Sequence, residues 1–150
     1  VYNMELGEVK IIKLLYGGIY LIFSALIILR GTLDIVGIDL SQALYFVSSD
    51  IGYGIVVLSI GVISISYINS EDIIKQASGL FVSTVLSLGL LGLRILVILS
   101  HYLDYLLTQS VEGEGLFNLT SELSYVEIYT SIITIVLLYY AYRILRRYTI

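Results

Sequence analysis

Residues 77–103 read ASGLFVSTVLSLGLLGLRILVILSHYL, with one full charge, Arg94, and one histidine, His101. At about 1.5 Å per residue this run makes a helix of about 40 Å, enough to cross the ~30 Å hydrocarbon core of a bilayer. A helix that is apolar around most of its circumference belongs in a large core or in lipid. A chain of 150 residues offers no large core. Lipid is therefore the expected solvent for this segment.

The rest of the chain has the same character. Hydrophobic residues make up 58% and charged residues 13%, about half the charge of an ordinary soluble domain, and the mean hydropathy is +0.96. Three further apolar stretches flank the first, at residues 9–29, 51–68 and 125–142. The expected fold is an all-α integral membrane protein, an antiparallel four-transmembrane-helix bundle in a single domain covering 1–150. Asp39-Leu-Ser-Gln42 has the form of a capping box, which predicts an interfacial helix over 40–49 leading into the second span, with a bend at Gly52 and Gly54. Ser124-Tyr-Val-Glu127 has the same form at the start of the fourth span.

Charge placement sets an orientation. With both termini cytoplasmic, the inner segments hold Lys10, Lys13, Lys75, Arg143, Arg146 and Arg147, and the outer segments hold only Arg30. Such an excess of cytoplasmic Lys and Arg is the normal bias. Asn118-Leu-Thr120, a glycosylation sequon, then falls in an outer loop. Fourteen Tyr and no Trp suit interfacial belts, with Tyr45, Tyr53, Tyr102, Tyr105, Tyr125 and Tyr129 outside and Tyr16, Tyr67, Tyr139, Tyr140 and Tyr142 inside. No A-x-A-like cleavage site follows the first span, so it reads as a retained helix. The expected location is the cell (plasma) membrane, crossed several times.

In lipid, helices associate by close backbone approach and polar contacts. Gly79, Ser83 and Ser87 fall at i, i+4, i+8 in the third span, Gly54 and Gly61 lie seven apart in the second, and Gly17 and Gly18 each begin a heptad-spaced small pair in the first. These are the expected packing seams. The fourth span is poor in small residues and is the expected lipid or partner face.

Chemistry narrows to one sector. A charge inside a span is costly and marks a functional candidate. On a helical wheel His101 lies about 20° from Arg94 and Asp104 about 80°, with Asp50 and Glu127 at similar depth on the second and fourth spans. Such a cluster could hold a quinone head group or an anion, or pass protons; equally, Arg94 could pair with a carboxylate and fix helix register. One His and no Cys cannot assemble a haem or transition-metal ligand set. A net charge of −4 argues against nucleic acid as a partner. No cofactor is expected on this chain alone beyond lipid or quinone contact. Arg143, Arg146 and Arg147 form a basic patch expected to anchor the inner helix end and to contact either anionic lipid or a partner's acidic surface.

Residues 50–61, DIGYGIVVLSIG, resemble the acid-plus-glycine second span of small four-span proteins of the DoxX type, linked to quinone-dependent sulfur oxidation. The likeness covers that dozen residues, and no matching basic motif follows the first span, so it assigns no family. What it implies is a small transporter or quinone-interacting protein using the outer half of the third span. By subtraction the leading expectation is different: a non-catalytic accessory or structural subunit of a larger membrane complex, respiratory or otherwise energy-transducing, contacting other integral membrane subunits and membrane lipids. Self-association into a homo-oligomer is a third reading. High Ile and Tyr with no Cys suits a thermophilic archaeon.

Overall fold

The computed structural model describes residues 2–44, 46–112 and 126–149, and they form four helices: α1 (Tyr2–Val36), α2 (Ile51–Ile65), α3 (Ile73–Glu112) and α4 (Val126–Thr149). Three of them contain stretches long and apolar enough to cross a membrane, Leu6–Val36, Ile73–Gln109 and Ile128–Tyr148. The second does not. Its 15 residues span about 22 Å, short of the ~30 Å hydrocarbon core, so three long apolar helices and one shorter one replace the four full spans expected.

Each boundary has a local cause. α1 runs past the expected end at Leu29, with Arg30 and Asp34 at i, i+4 in its last turns, 3.9 Å apart. It stops at Gly37, whose φ of 88° allows a Schellman close: Ile38 N donates to Leu33 O at 2.9 Å and Gly37 N to Asp34 O at 3.1 Å. α2 starts at Asp50, whose Oδ1 accepts from Tyr53 N at 3.1 Å, a helix N-cap. The bend expected at Gly52 and Gly54 is absent, since both lie inside the first turns of α2. α2 ends at Ile65, three residues before the expected limit: Ser66 leaves the helix at ψ 145° and Tyr67 follows at φ 61°, a left-handed conformation. Asp72 opens α3, accepting from Ile74 N at 2.9 Å through Oδ1.

The helix expected over 40–49 is replaced by turns. Ala43 N and Leu44 N donate to Leu40 O, and Val47 N to Leu44 O, but the described residues do not continue into a helix. Asp39 receives Ser41 N at 2.7 Å, an Asx turn in place of a capping box. That amide bond holds the Asp39 carboxyl below its ordinary value. Arg30 then fastens the segment: its Nη1 donates to Leu44 O at 2.6 Å and also to Val47 O. Removing those bonds with Arg30→Met should release the 37–50 segment while leaving the helices in place. Faster amide exchange at residues 44–47, by about 10-fold to 100-fold for a loss of about 1.5–3 kcal/mol, is the expected readout.

Packing is antiparallel between successive helices. Gly17 faces Gly61 and Ile65, Gly54 faces Ile27 and Ile28, and Gly31 faces Ser49 and Ile51, so α2 descends as α1 rises. α3 runs back up, with Gly79 beside Ile63 and Ser66. α4 returns, pairing Thr134 with Ser87. The main core gathers Tyr16, Tyr20, Ile27, Val57, Ile60, Leu80 and Leu90. A second cluster at the opposite end of α4 joins Val9, Ile73, Ala77 and Ile144.

Candidate functional site

The polar groups expected to act together are only partly gathered. Arg94 and Asp50 share one pocket. With Ser48, Tyr53, Leu90, Leu93 and Val97 they line a pocket of about 200 Å³ at the level where α2 begins. Asp50 has a structural task there as well, capping α2 through the same carboxylate. His101 and Asp104 are not in that pocket. They are exposed on α3, seven and ten residues further along, or about 10 and 15 Å. The side chain of Glu127, the Ser124–Glu127 capping box and Asn118 lie outside the described residues.

The small residues divide in the same way. Gly17, Gly54, Gly61 and Gly79 each have a neighbouring helix within 3.3 Å of where a Cβ would stand. Ser83 and Ser87 are buried beside Gly79 on the same face of α3. Gly18 has open space around it, which removes it from the seam. Gly31, not singled out from spacing, is packed as tightly as any, with the Ser49 carbonyl in the place of a side chain.

A second polar assembly was not legible as a site. Tyr16, placed from sequence in an inner interfacial belt, is buried in the core, as are Tyr20, Ser87 and Thr134. Their hydroxyls form one connected chain. Tyr16 OH lies 3.0 Å from Thr134 Oγ1, Thr134 Oγ1 lies 3.2 Å from Ser87 Oγ, and Ser87 Oγ bonds Tyr20 OH. Thr134 also back-bonds to Thr130 O at 2.9 Å. Beside Tyr20 and Ser87 is a cavity of about 20 Å³, lined as well by Phe23, Ile27, Tyr53, Val57, Leu90 and Thr130. That is room for about one water. Tyr53 and Leu90 belong to this cavity and to the Arg94 pocket alike.

Toward the other end lies Lys13. Counted from sequence as a cytoplasmic surface charge, it is fully buried. Its Nζ donates to Ser66 O at 2.5 Å, so the ammonium caps the C-terminus of α2, where the helix dipole is negative. The neighbouring Gln76 is buried too, donating through Nε2 to Ser70 O at 2.6 Å and Ile68 O at 3.3 Å. The missed signal is periodic. Val9, Lys13, Tyr16, Tyr20, Ser24, Ile27 and Gly31 recur at three- and four-residue steps and are all buried, the inward stripe of an amphipathic helix written partly in polar residues.

At the Lys13 end of the bundle, Glu8, Tyr140, Arg143, Ile144 and Arg147 line a further pocket of about 180 Å³, so the basic patch on α4 also faces a carboxylate on α1. Among the described residues no group of three or more His, Cys, Asp or Glu is placed to hold a metal ion. Comparisons with protein-family models, curated proteins and solved structures find no match to this chain.

Proposed function

We propose that the chain is a non-catalytic accessory subunit of a larger integral membrane complex in the cell membrane, with both termini cytoplasmic. One observation carries this reading. The apolar stretch of α3 covers 37 residues, Ile73–Gln109, about 55 Å against a ~30 Å hydrocarbon core, so about 25 Å of the helix extends past a single crossing. This extension is apolar over about half its circumference: Leu96 is 60% exposed, Leu103 52%, and Ile95, Val97, Leu99 and Leu106 are exposed as well. Apolar helix surface outside the bilayer is costly in water and favours cover by a protein partner. The orientation rests on the excess of Lys and Arg at the inner ends, five to one once the buried Lys13 is set aside.

The test is gentle extraction, native separation and mass spectrometry of the particle. The chain should comigrate stoichiometrically with other membrane subunits, and Leu99→Glu should weaken that association by about 2 kcal/mol or more. Migration alone, or only with itself, would overturn the assignment.

A second reading, a small transporter or quinone-interacting protein, is favoured by the pocket that joins Arg94 to Asp50. It requires that Arg94→Leu abolish activity while assembly survives. The accessory reading requires the reverse: weakened incorporation, with any assembled complex still active.

A further inference from the structure

At the Lys13 end of the bundle, α1 and α4 enclose the pocket of about 180 Å³ between Glu8 and the arginines. Arg143 and Arg147 stand at i, i+4 and so share one side of α4, and both line the pocket with Tyr140. Ile144, in its wall, belongs to the buried cluster with Val9, Ile73 and Ala77, so three helices hold that wall in place. Depth locates the pocket. The apolar stretch Ile128–Tyr148 has 21 residues, about 31 Å, one thickness of hydrocarbon. Its last turns therefore lie where lipid headgroups begin.

A pair of guanidinium groups one turn apart suits a phosphate, since each planar fork donates two parallel N–H bonds to its oxygens. A bare anion fits the rest of the pocket poorly. The Glu8 carboxylate repels it, and the arginines sit in the last two turns of α4, where the helix dipole is negative. An acidic protein surface brings further carboxylates toward Glu8. A ligand with an ammonium beside its phosphate satisfies both signs.

We propose that Glu8, Arg143 and Arg147 form the headgroup site of an aminophospholipid, in which a phosphodiester is joined through two carbons to a primary ammonium. Arg143 and Arg147 clamp the phosphate, and the ammonium donates to the Glu8 carboxylate, an acceptor only. The Tyr140 ring and Ile144 meet the glycerol and the first acyl carbons. No covalent bond changes. Every wall of the pocket belongs to this chain, so the site is independent of whether the chain assembles with other subunits.

The full chain, with whatever copurifies, is stripped of lipid by detergent exchange. It is then titrated with phosphatidylethanolamine, phosphatidylglycerol or phosphatidylcholine of the same acyl chains, and bound lipid is counted by native mass spectrometry. Phosphatidylethanolamine should bind about threefold or more tighter than either of the others. Phosphatidylglycerol has no cation for Glu8, and the quaternary ammonium of phosphatidylcholine has no N–H to donate. Arg143→Gln combined with Arg147→Gln should weaken binding about tenfold or more. Arg146→Gln, an equal loss of charge on the same helix but outside the pocket, should leave it unchanged. Glu8→Gln should abolish the preference for phosphatidylethanolamine over phosphatidylglycerol. Glu8, Arg143, Arg146 and Arg147 are all exposed, so these variants keep the buried packing intact.

Equal binding of phosphatidylethanolamine by the arginine double variant would overturn the proposal, as would tighter binding of phosphatidylglycerol by the parent or a preference that survives Glu8→Gln. Loss of an acidic copurifying subunit from the double variant, with lipid binding unchanged, would give the patch to a protein instead. Water-soluble glycerophosphoethanolamine should not displace the lipid at equal concentration. Displacement there would assign the pocket to a free phosphate ester in place of a lipid.

Discussion

Lys13→Glu should destabilise the bundle by about 3–5 kcal/mol, measured as a lower midpoint in a mixed-micelle SDS titration. The native ammonium is fully buried and donates to the Ser66 carbonyl at 2.5 Å. That carbonyl lies at the negative end of α2, next to a residue already held at φ 61°. A carboxylate in the same place offers only acceptors to an acceptor and adds negative charge to a negative helix end. Retreat is closed off by α3, since Gly79 approaches Lys13 Nζ closely enough that a Cβ there would stand 3.2 Å from it. Lys13→Met separates charge from packing. It keeps the aliphatic stem that fills the site but leaves the Ser66 carbonyl without its donor, so its loss should be smaller, about 1–3 kcal/mol. Equal stability of Lys13→Glu and the parent would mean that this lysine reaches water.

Gly31→Val is the second large effect, expected at about 3 kcal/mol or more, above the ordinary range for overpacking. A Cβ on Gly31 would overlap the Ser49 carbonyl oxygen and stand 2.6 Å from Ile51 Cγ1. Side chains can rotate away from such a contact. A carbonyl cannot move without carrying the backbone that leads into the Asp50 cap of α2. Gly18→Ala is the control. Nothing lies within 4 Å of the added atom, and replacing a helical glycine should stabilise by about 0.5–1 kcal/mol. Thermal unfolding of the two variants in one detergent should move the midpoint in opposite directions.

The contrast between these two glycines shows how far spacing along the chain can be taken. Heptad spacing selected Gly17 and Gly18 equally, and only Gly17 faces α2. Gly31 lies one more heptad beyond Gly17 and Ser24, but its partner is the Ser49 carbonyl of a loop, which helix spacing does not name. Arg94 and Asp50 were legible as companions because depth along each apolar run can be counted. His101 shares Arg94's side of the helix by the same wheel, yet it is exposed and outside the pocket that Arg94 lines. A helical wheel reports direction and is silent on where neighbouring helices stop.

Composition and hydropathy by themselves determined that this chain is helical, that its helices are apolar enough for lipid and roughly where they lie, because those properties depend on local geometry and on transfer from water. The small-residue face of α3 was also written in spacing alone. Tertiary structure decided the rest. Where α2 stops depends on a left-handed Tyr67 next to a carbonyl capped by Lys13, and whether Tyr16 and Lys13 belong to the surface or the interior depends on the register of α1 against α2, α3 and α4. That register is set by backbone approaches such as Gly17 to Gly61 and Gly31 to Ser49. These contacts join residues far apart in the chain, so no local pattern contains them.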